Sequence, residues 1–200
     1  MPAAIDFWFD FSSPYGYLAS RRIEAIAARH GRSVRWRPIM LGVVFQKTGQ
    51  TPLLGQPLRG PYFAIDMPRS ARLHGIEFKF PEPFPFASVA ACRAFYWFDR
   101  RDGAAAVDFA KAVYRRAFIE GHAVGDAGDT AAVAKWLGHD PRALLDALQD
   151  PQVKEWLREV MDEALERGVF GSPFFHVDGE PFWGHDRLEQ VDRWLATGGW

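Results

Sequence analysis

The sequence predicts an α/β fold interrupted by a large all-helical insertion. Three observations carry this reading. Residues 5–39 read as strand, helix, strand; residues 40–167 hold helical patterns and no convincing strand; residues 168–200 return to strand, turn, strand, helix. A length of 200 residues fits one domain carrying an insertion. The expected division is 1–39 plus 168–200 for the α/β part and 40–167 for the helical part.

Taken in order, Ile5, Phe7, Phe9 and Phe11 alternate with Asp6, Trp8 and Asp10, which is the period of a strand. Ser12-Ser13-Pro14 then places hydroxyl residues before a proline, the signature of a helix N-cap followed by its first residue. Leu18, Ala19, Ile23, Ile26 and Ala27 recur at helical spacing, and His30-Gly31 supplies the stop. Val34–Pro38 reads as a second strand, and a strand-helix-strand order fits a parallel crossover. From Met40 to Phe86 glycine and proline dominate, so the segment reads as loop with one short helix over Ile65–His74. Pro81, Pro83 and Pro85 alternate and oppose both helix and paired strand. Helices are expected over 88–101, 104–120, 130–137, 141–148 and 152–167. Phe174–Val177 and Pro181–Trp183 are short strands joined by a hairpin turn at Asp178-Gly179, and a last helix opens at Asp186 and stops at Gly198.

Composition narrows the function. Apolar residues make up 48% and charged residues 24%, an ordinary globular balance. A net charge of −1 argues against a broad basic face for nucleic acid. A single cysteine, Cys92, excludes an internal disulfide, a CxxC pair and a thiolate-rich zinc site; its apolar neighbours Ala91, Phe95 and Phe98 place it in the core. The six histidines form no i, i+4 pair, so no metal site is expected. No glycine-rich phosphate loop and no GxSxG elbow occurs. Residues 1–4 are too few for a signal peptide and no membrane-length apolar run is present, so a cytoplasmic location is expected. The 17 Phe, 8 Trp and 5 Tyr suggest a bulky core or an aromatic-lined pocket.

Three motifs carry chemistry. Ser13, at the junction of a strand and a helix N-terminus, is either a plain cap or a hydroxyl poised where free N–H groups stabilise an anion. Ser172-Pro173 precedes a strand; it is either a strand-start proline or a cis peptide leaving the Ser172 N–H and C=O free for an extended ligand. Asp186 either caps the last helix or receives an ammonium beside N–H groups that take a carboxylate.

Together and in this order, Asp10-Phe11-Ser12-Ser13-Pro14-Tyr15, the helical insert, Gly168-Val169-Phe170-Gly171-Ser172-Pro173 and Trp183-Gly184-His185-Asp186-Arg187-Leu188 resemble the 2-hydroxychromene-2-carboxylate isomerase family. That family is similar to kappa-class glutathione transferases and to DsbA-like thioredoxin folds. The resemblance covers nearly the whole chain. It implies a thioredoxin-like fold split by a helical domain, a homodimer, glutathione as cofactor, and a small aromatic carboxylate as substrate in aromatic hydrocarbon catabolism. Ser13 matches the serine that bonds the glutathione sulfur, Ser172 and Pro173 the cysteinyl backbone contact, and His185 and Asp186 the γ-glutamyl contact. The segment from Gly49 to Tyr62 resembles the remaining contact region; Gln50 stands for a usual Asn, Arg59 for a usual Lys, His185 for Ser or Asn, and Gly16 for a frequent Ser. Arg59 or Arg69 would meet the substrate carboxylate. Where DsbA proteins carry CxxC, this chain has Ser13-Pro14-Tyr15-Gly16, which cannot exchange disulfides. The implied reaction is isomerisation by reversible addition of the glutathione sulfur. A kappa-like transferase and a non-redox DsbA-like binding module are the alternatives, separated by consumption of glutathione and by failure to bind it.

Overall fold

The computed structural model describes residues 3–200; residues 1–2, at the start of the expected first segment, lie outside the described residues. Strand β1 (Ile5–Phe9) leads through helices α1 (Pro14–Ser20) and α2 (Ile23–Arg29) to β2 (Val34–Pro38), which pairs parallel with β1. The hairpin β3 (Phe174–Val177) and β4 (Glu180–Trp183) completes a four-stranded sheet of order β2-β1-β3-β4, with β3 antiparallel to β1. Asp178 and Gly179 turn the hairpin with positive φ of 54° and 90°. Between β2 and β3 run helices α3 (Leu41–Thr48), α4 (Arg59–Leu73), α5 (Val89–Asp99), α6 (Gly103–Phe118), α7 (Ala127–Trp136), α8 (Pro141–Gln149) and α9 (Pro151–Glu166); α10 (Leu188–Thr197) closes the chain.

Three expectations are corrected. The helix expected from Pro14 to His30 is two helices, because Ser20 Oγ donates to Tyr17 O and Arg22 N–H to Ala19 O, which tightens the turn between them. The glycine- and proline-rich stretch contains α3 and a long α4 beginning at Arg59. Pro61 falls in the first turn of α4, where N–H groups have no helical partner to lose. The α3 N-terminus is capped from a distance: Asp10 Oδ2 accepts the Leu41 N–H at 2.6 Å. The last helix does not open at Asp186; a 3-10 turn over His185–Arg187 precedes α10, and neither start has a side-chain cap bond.

The strand β1 is buried on both faces. On one, Phe7 packs against Phe9, Trp36 and Phe175 with ring centroids 4.9–5.4 Å apart, and Phe9 and Phe11 reach Tyr114 of α6. These rings join the sheet and the helices into one continuous core, with Cys92 fully buried within it. On the other face Trp8 Nε1–H donates to His176 Nδ1 at 3.0 Å, and His176 Nε2 meets Arg167 O at 3.2 Å. Arg37 lies over the Trp8 ring at 4.1 Å, and Arg167 pairs with Asp6 at 2.7 Å.

Neutral His176 satisfies both bonds, and burial, with Arg167 beside it, holds its pKa below the usual imidazole value. The unfolded chain takes up a proton near about pH 6.5, which the folded chain refuses, so stability is full above that pH and falls as pH drops below it. Urea unfolding from about pH 7.5 to 5 should show this decline, and His176→Asn should lower stability at neutral pH while flattening the slope. An unchanged slope in the variant would assign the decline to the other histidines of lowered pKa, His74 and His185.

Candidate active site

A cleft of about 1120 Å³ lies between the α/β part and the first two insert helices. Its floor is the C-terminal end of β1 and the N-terminus of α1. Ser13, Ser172, Pro173, His185, Asp186, Gln50 and Arg59 all line it, although they come from distant parts of the sequence.

Ser13 is both a cap and a cleft residue. Its Oγ accepts the Gly16 N–H at 3.1 Å and donates to Ser172 O at 3.0 Å. Ser13 is 5% exposed, with Pro14 at the first helical position as the sequence indicates. The Ser172–Pro173 peptide is cis. The Ser172 C=O is therefore not free as expected, since the Ser13 hydroxyl occupies it. The Ser172 N–H has no protein acceptor among the described residues. Ser172 Oγ accepts the Asp10 N–H at 2.8 Å, and Tyr114 Oη donates to Asp10 O at 3.1 Å.

Gly16 stands against this junction. A Cβ there would lie 2.7 Å from Tyr114 Oη and 2.9 Å from Ser172 Oγ, so the space of a serine side chain is already filled. Gly16→Ala should displace both hydroxyls from Asp10 and lower unfolding stability by about 1–3 kcal/mol, the usual range for overpacking. An unchanged denaturation midpoint would show that the junction yields freely.

At the other end of the floor, the Tyr15 ring stacks on His185 with centroids 4.9 Å apart and planes 18° apart. Tyr15 Oη donates to Asp66 Oδ2 at 2.8 Å. Burial lowers the His185 pKa against the opposing pull of Asp186, so the ring is neutral at pH 7 and offers one donor and one acceptor. Asp186 is exposed, caps neither start, and among the described residues pairs with Arg187 alone, at 3.4 Å. Its carboxylate is thus available to a cation in the cleft.

Arg59 and Arg187 line the cleft, and the Arg59 guanidinium bonds Gln56 at 3.4 Å. Arg69 does not line it: its guanidinium pairs with Asp66 at 2.6 Å and bonds Tyr62 Oη at 2.9 Å. The apolar wall includes Met40, Leu41, Phe63, Phe84, Phe86 and Val89. Sequence reasoning missed Asp10, Ser12, Trp183 and Arg187 as cleft residues. Asp10 and Ser12 lie inside the first motif, where the strand period gives no sign that a carboxylate and a hydroxyl pair at the strand end.

A thioredoxin-like sheet split by helices carries the Ser13 hydroxyl at the start of α1. Residues 4–196 match the DSBA-like thioredoxin domain family. The 2-hydroxychromene-2-carboxylate isomerase of Pseudomonas putida is 32% identical over 94% of this chain and 92% of its own. That of Sphingobium xenophagum is 30% identical over 98% and 99%. A solved structure of 2-hydroxychromene-2-carboxylate isomerase superposes with a TM-score of 0.87 at 30% identity, covering 96% of this chain and 94% of that one. The chain belongs to the DsbA-like thioredoxin family and, within it, to the 2-hydroxychromene-2-carboxylate isomerase family.

Proposed function

We propose that the protein is a glutathione-dependent isomerase that interconverts 2-hydroxychromene-2-carboxylate and trans-o-hydroxybenzylidenepyruvate. The observation that carries this is the convergence of Ser13, Ser172-Pro173 and His185-Asp186 on one cleft that no cysteine lines. The residues fit a γ-glutamyl tripeptide. Ser172 offers an N–H to an extended backbone, Asp186 takes the ammonium, and His185 with Gln50 takes polar groups of the γ-glutamyl and glycyl ends.

When bound, glutathione supplies a sulfur nucleophile that adds and leaves within one cycle. The chain supplies the rest. The α1 N-terminus favours an anion beside Ser13, whose hydrogen can turn from Ser172 O toward it. Arg59, which has no carboxylate partner among the described residues, holds the substrate carboxylate. The apolar wall takes the aromatic ring and keeps water from it. The protein is further proposed to act in the cytoplasm, in aromatic hydrocarbon catabolism, and as a homodimer. In support of pairing, Tyr62, Ile65 and Leu73 form an exposed stripe along α4, continued by Leu58 before it. No helix among the described residues is long and apolar enough to cross a membrane.

The test is incubation of the purified protein with 2-hydroxychromene-2-carboxylate and glutathione, with chromatographic separation of the isomers. Approach to the same isomer ratio from either side is expected. A thioether product would support the transferase alternative, and no glutathione binding would support the binding module.

A further inference from the structure

Two hydroxyls stand at the entrance to α1, and Ser13 is the less available of them. Ser12 is half-buried and lines the cleft, and its Oγ donates to Asp10 Oδ1 at 2.8 Å. Asp10 also lines the cleft yet is only 2% exposed. Its Oδ1 accepts the Ser12 N–H at 2.7 Å as well, its Oδ2 accepts the Leu41 N–H at 2.6 Å, and the Ser88 side chain bonds it too. Two backbone N–H groups and the hydroxyls of Ser12 and Ser88 converge on its oxygens, a donor set that suits a carboxylate and opposes the effect of burial. No lysine or arginine pairs with it among the described residues. The titratable groups facing it are Cys92 of α5 and Tyr114 of α6, both kept protonated by burial. Burial likewise raises the proton affinity of Asp10.

A thiolate beside Ser12 and Ser13 would therefore share a poorly solvated site with a carboxyl group that no cation pairs, and like charges disfavour each other there. The charge can move instead of doubling. We infer that Ser12 and Asp10 form a proton relay for the thiol held in this cleft. Ser12 Oγ accepts the thiol proton while its own hydrogen passes to Asp10 Oδ1. The S–H bond breaks with its electron pair left on sulfur, a new O–H forms on Ser12, the old one breaks, and one forms on Asp10. Nothing is oxidised or reduced, and the net charge of the site is unchanged. Asp10, now neutral, donates back to Ser12 Oγ, and Ser12 donates to the sulfur. This rests on the glutathione reading of the cleft.

The experiment compares wild type, Ser12→Ala and Ser12→Thr. Binding of glutathione and of S-methylglutathione is measured by calorimetry at neutral pH in buffers of different ionisation enthalpy. The ultraviolet absorbance of the thiolate is read on the same samples. In wild type, thiolate should form with clearly fewer protons released to buffer than thiolates formed. In Ser12→Ala the thiolate fraction should fall by about tenfold, corresponding to about one pKa unit. Ser12→Thr should restore it, and S-methylglutathione, with no thiol proton, should bind all three alike. Proton release equal to thiolate formed in wild type, or an unchanged thiolate fraction in Ser12→Ala, would overturn the relay alone. Failure of both peptides to bind wild type would overturn the glutathione reading and the relay with it.

Discussion

Ser13→Ala is expected to lower isomerase turnover about 10²-fold or more, the usual effect of removing one hydrogen-bond donor aimed at a reacting anion. Free glutathione has a thiol pKa near ~8.5 and is only a few per cent ionised at pH 7. On the proposed reading, the Ser13 hydroxyl raises that fraction by donating to the thiolate. The substitution also leaves the Gly16 N–H and the Ser172 C=O without the partner they share. A stability loss of about 1–2 kcal/mol should accompany it, within the range for a lost N-cap. Turnover measured well below the unfolding temperature separates the two effects. Wild-type turnover with only the stability loss would reduce Ser13 to a helix cap.

Asp186→Ala should weaken glutathione binding by about 1.5–3 kcal/mol, the range for hydrogen bonds to charged groups, or roughly 10- to 150-fold in Kd. The structure sharpens this expectation, because Asp186 caps neither the 3-10 turn nor α10. Its contact with Arg187 is an exposed pair, and such pairs contribute little. Folding stability should therefore stay within about 0.5 kcal/mol of wild type. Calorimetric titration and urea unfolding of the same protein check both parts. Equal glutathione affinity in the two proteins would remove Asp186 from the site.

Both ends of the chain were legible because their signals are local. The Asp178-Gly179 turn, the Ser13-Pro14 helix start and the strand periods each sit within a few residues. The segment around α3 and α4 was not. The cap of α3 is the Asp10 side chain, from the end of β1, and no neighbouring residue announces it. Pro61 reads as a loop residue until its place in the first turn of α4 is known. The same blindness misassigned Arg69. Once α4 is seen to begin at Arg59, Tyr62, Asp66 and Arg69 fall on one helical face and satisfy one another. The candidate residues at the two chain ends line one cleft. The free state of Ser172 did not follow, since its carbonyl is held by Ser13, and the Ser12–Asp10 pair was hidden because strand alternation says nothing about a buried charge at a strand end.

The central claim is that glutathione is returned at every cycle and never consumed. The cleft has no cysteine of its own, and Cys92 is sealed in the core, so any sulfur chemistry at Ser13 must use a thiol from outside. The direct measurement is turnover of 2-hydroxychromene-2-carboxylate by dialysed enzyme with glutathione far below the substrate concentration, followed to completion, with glutathione and its adducts counted by mass spectrometry. Little activity without thiol, many turnovers per glutathione with it, and full recovery of free glutathione are expected. Full activity in rigorously thiol-free buffer, or loss of one glutathione for each substrate converted, would contradict the account.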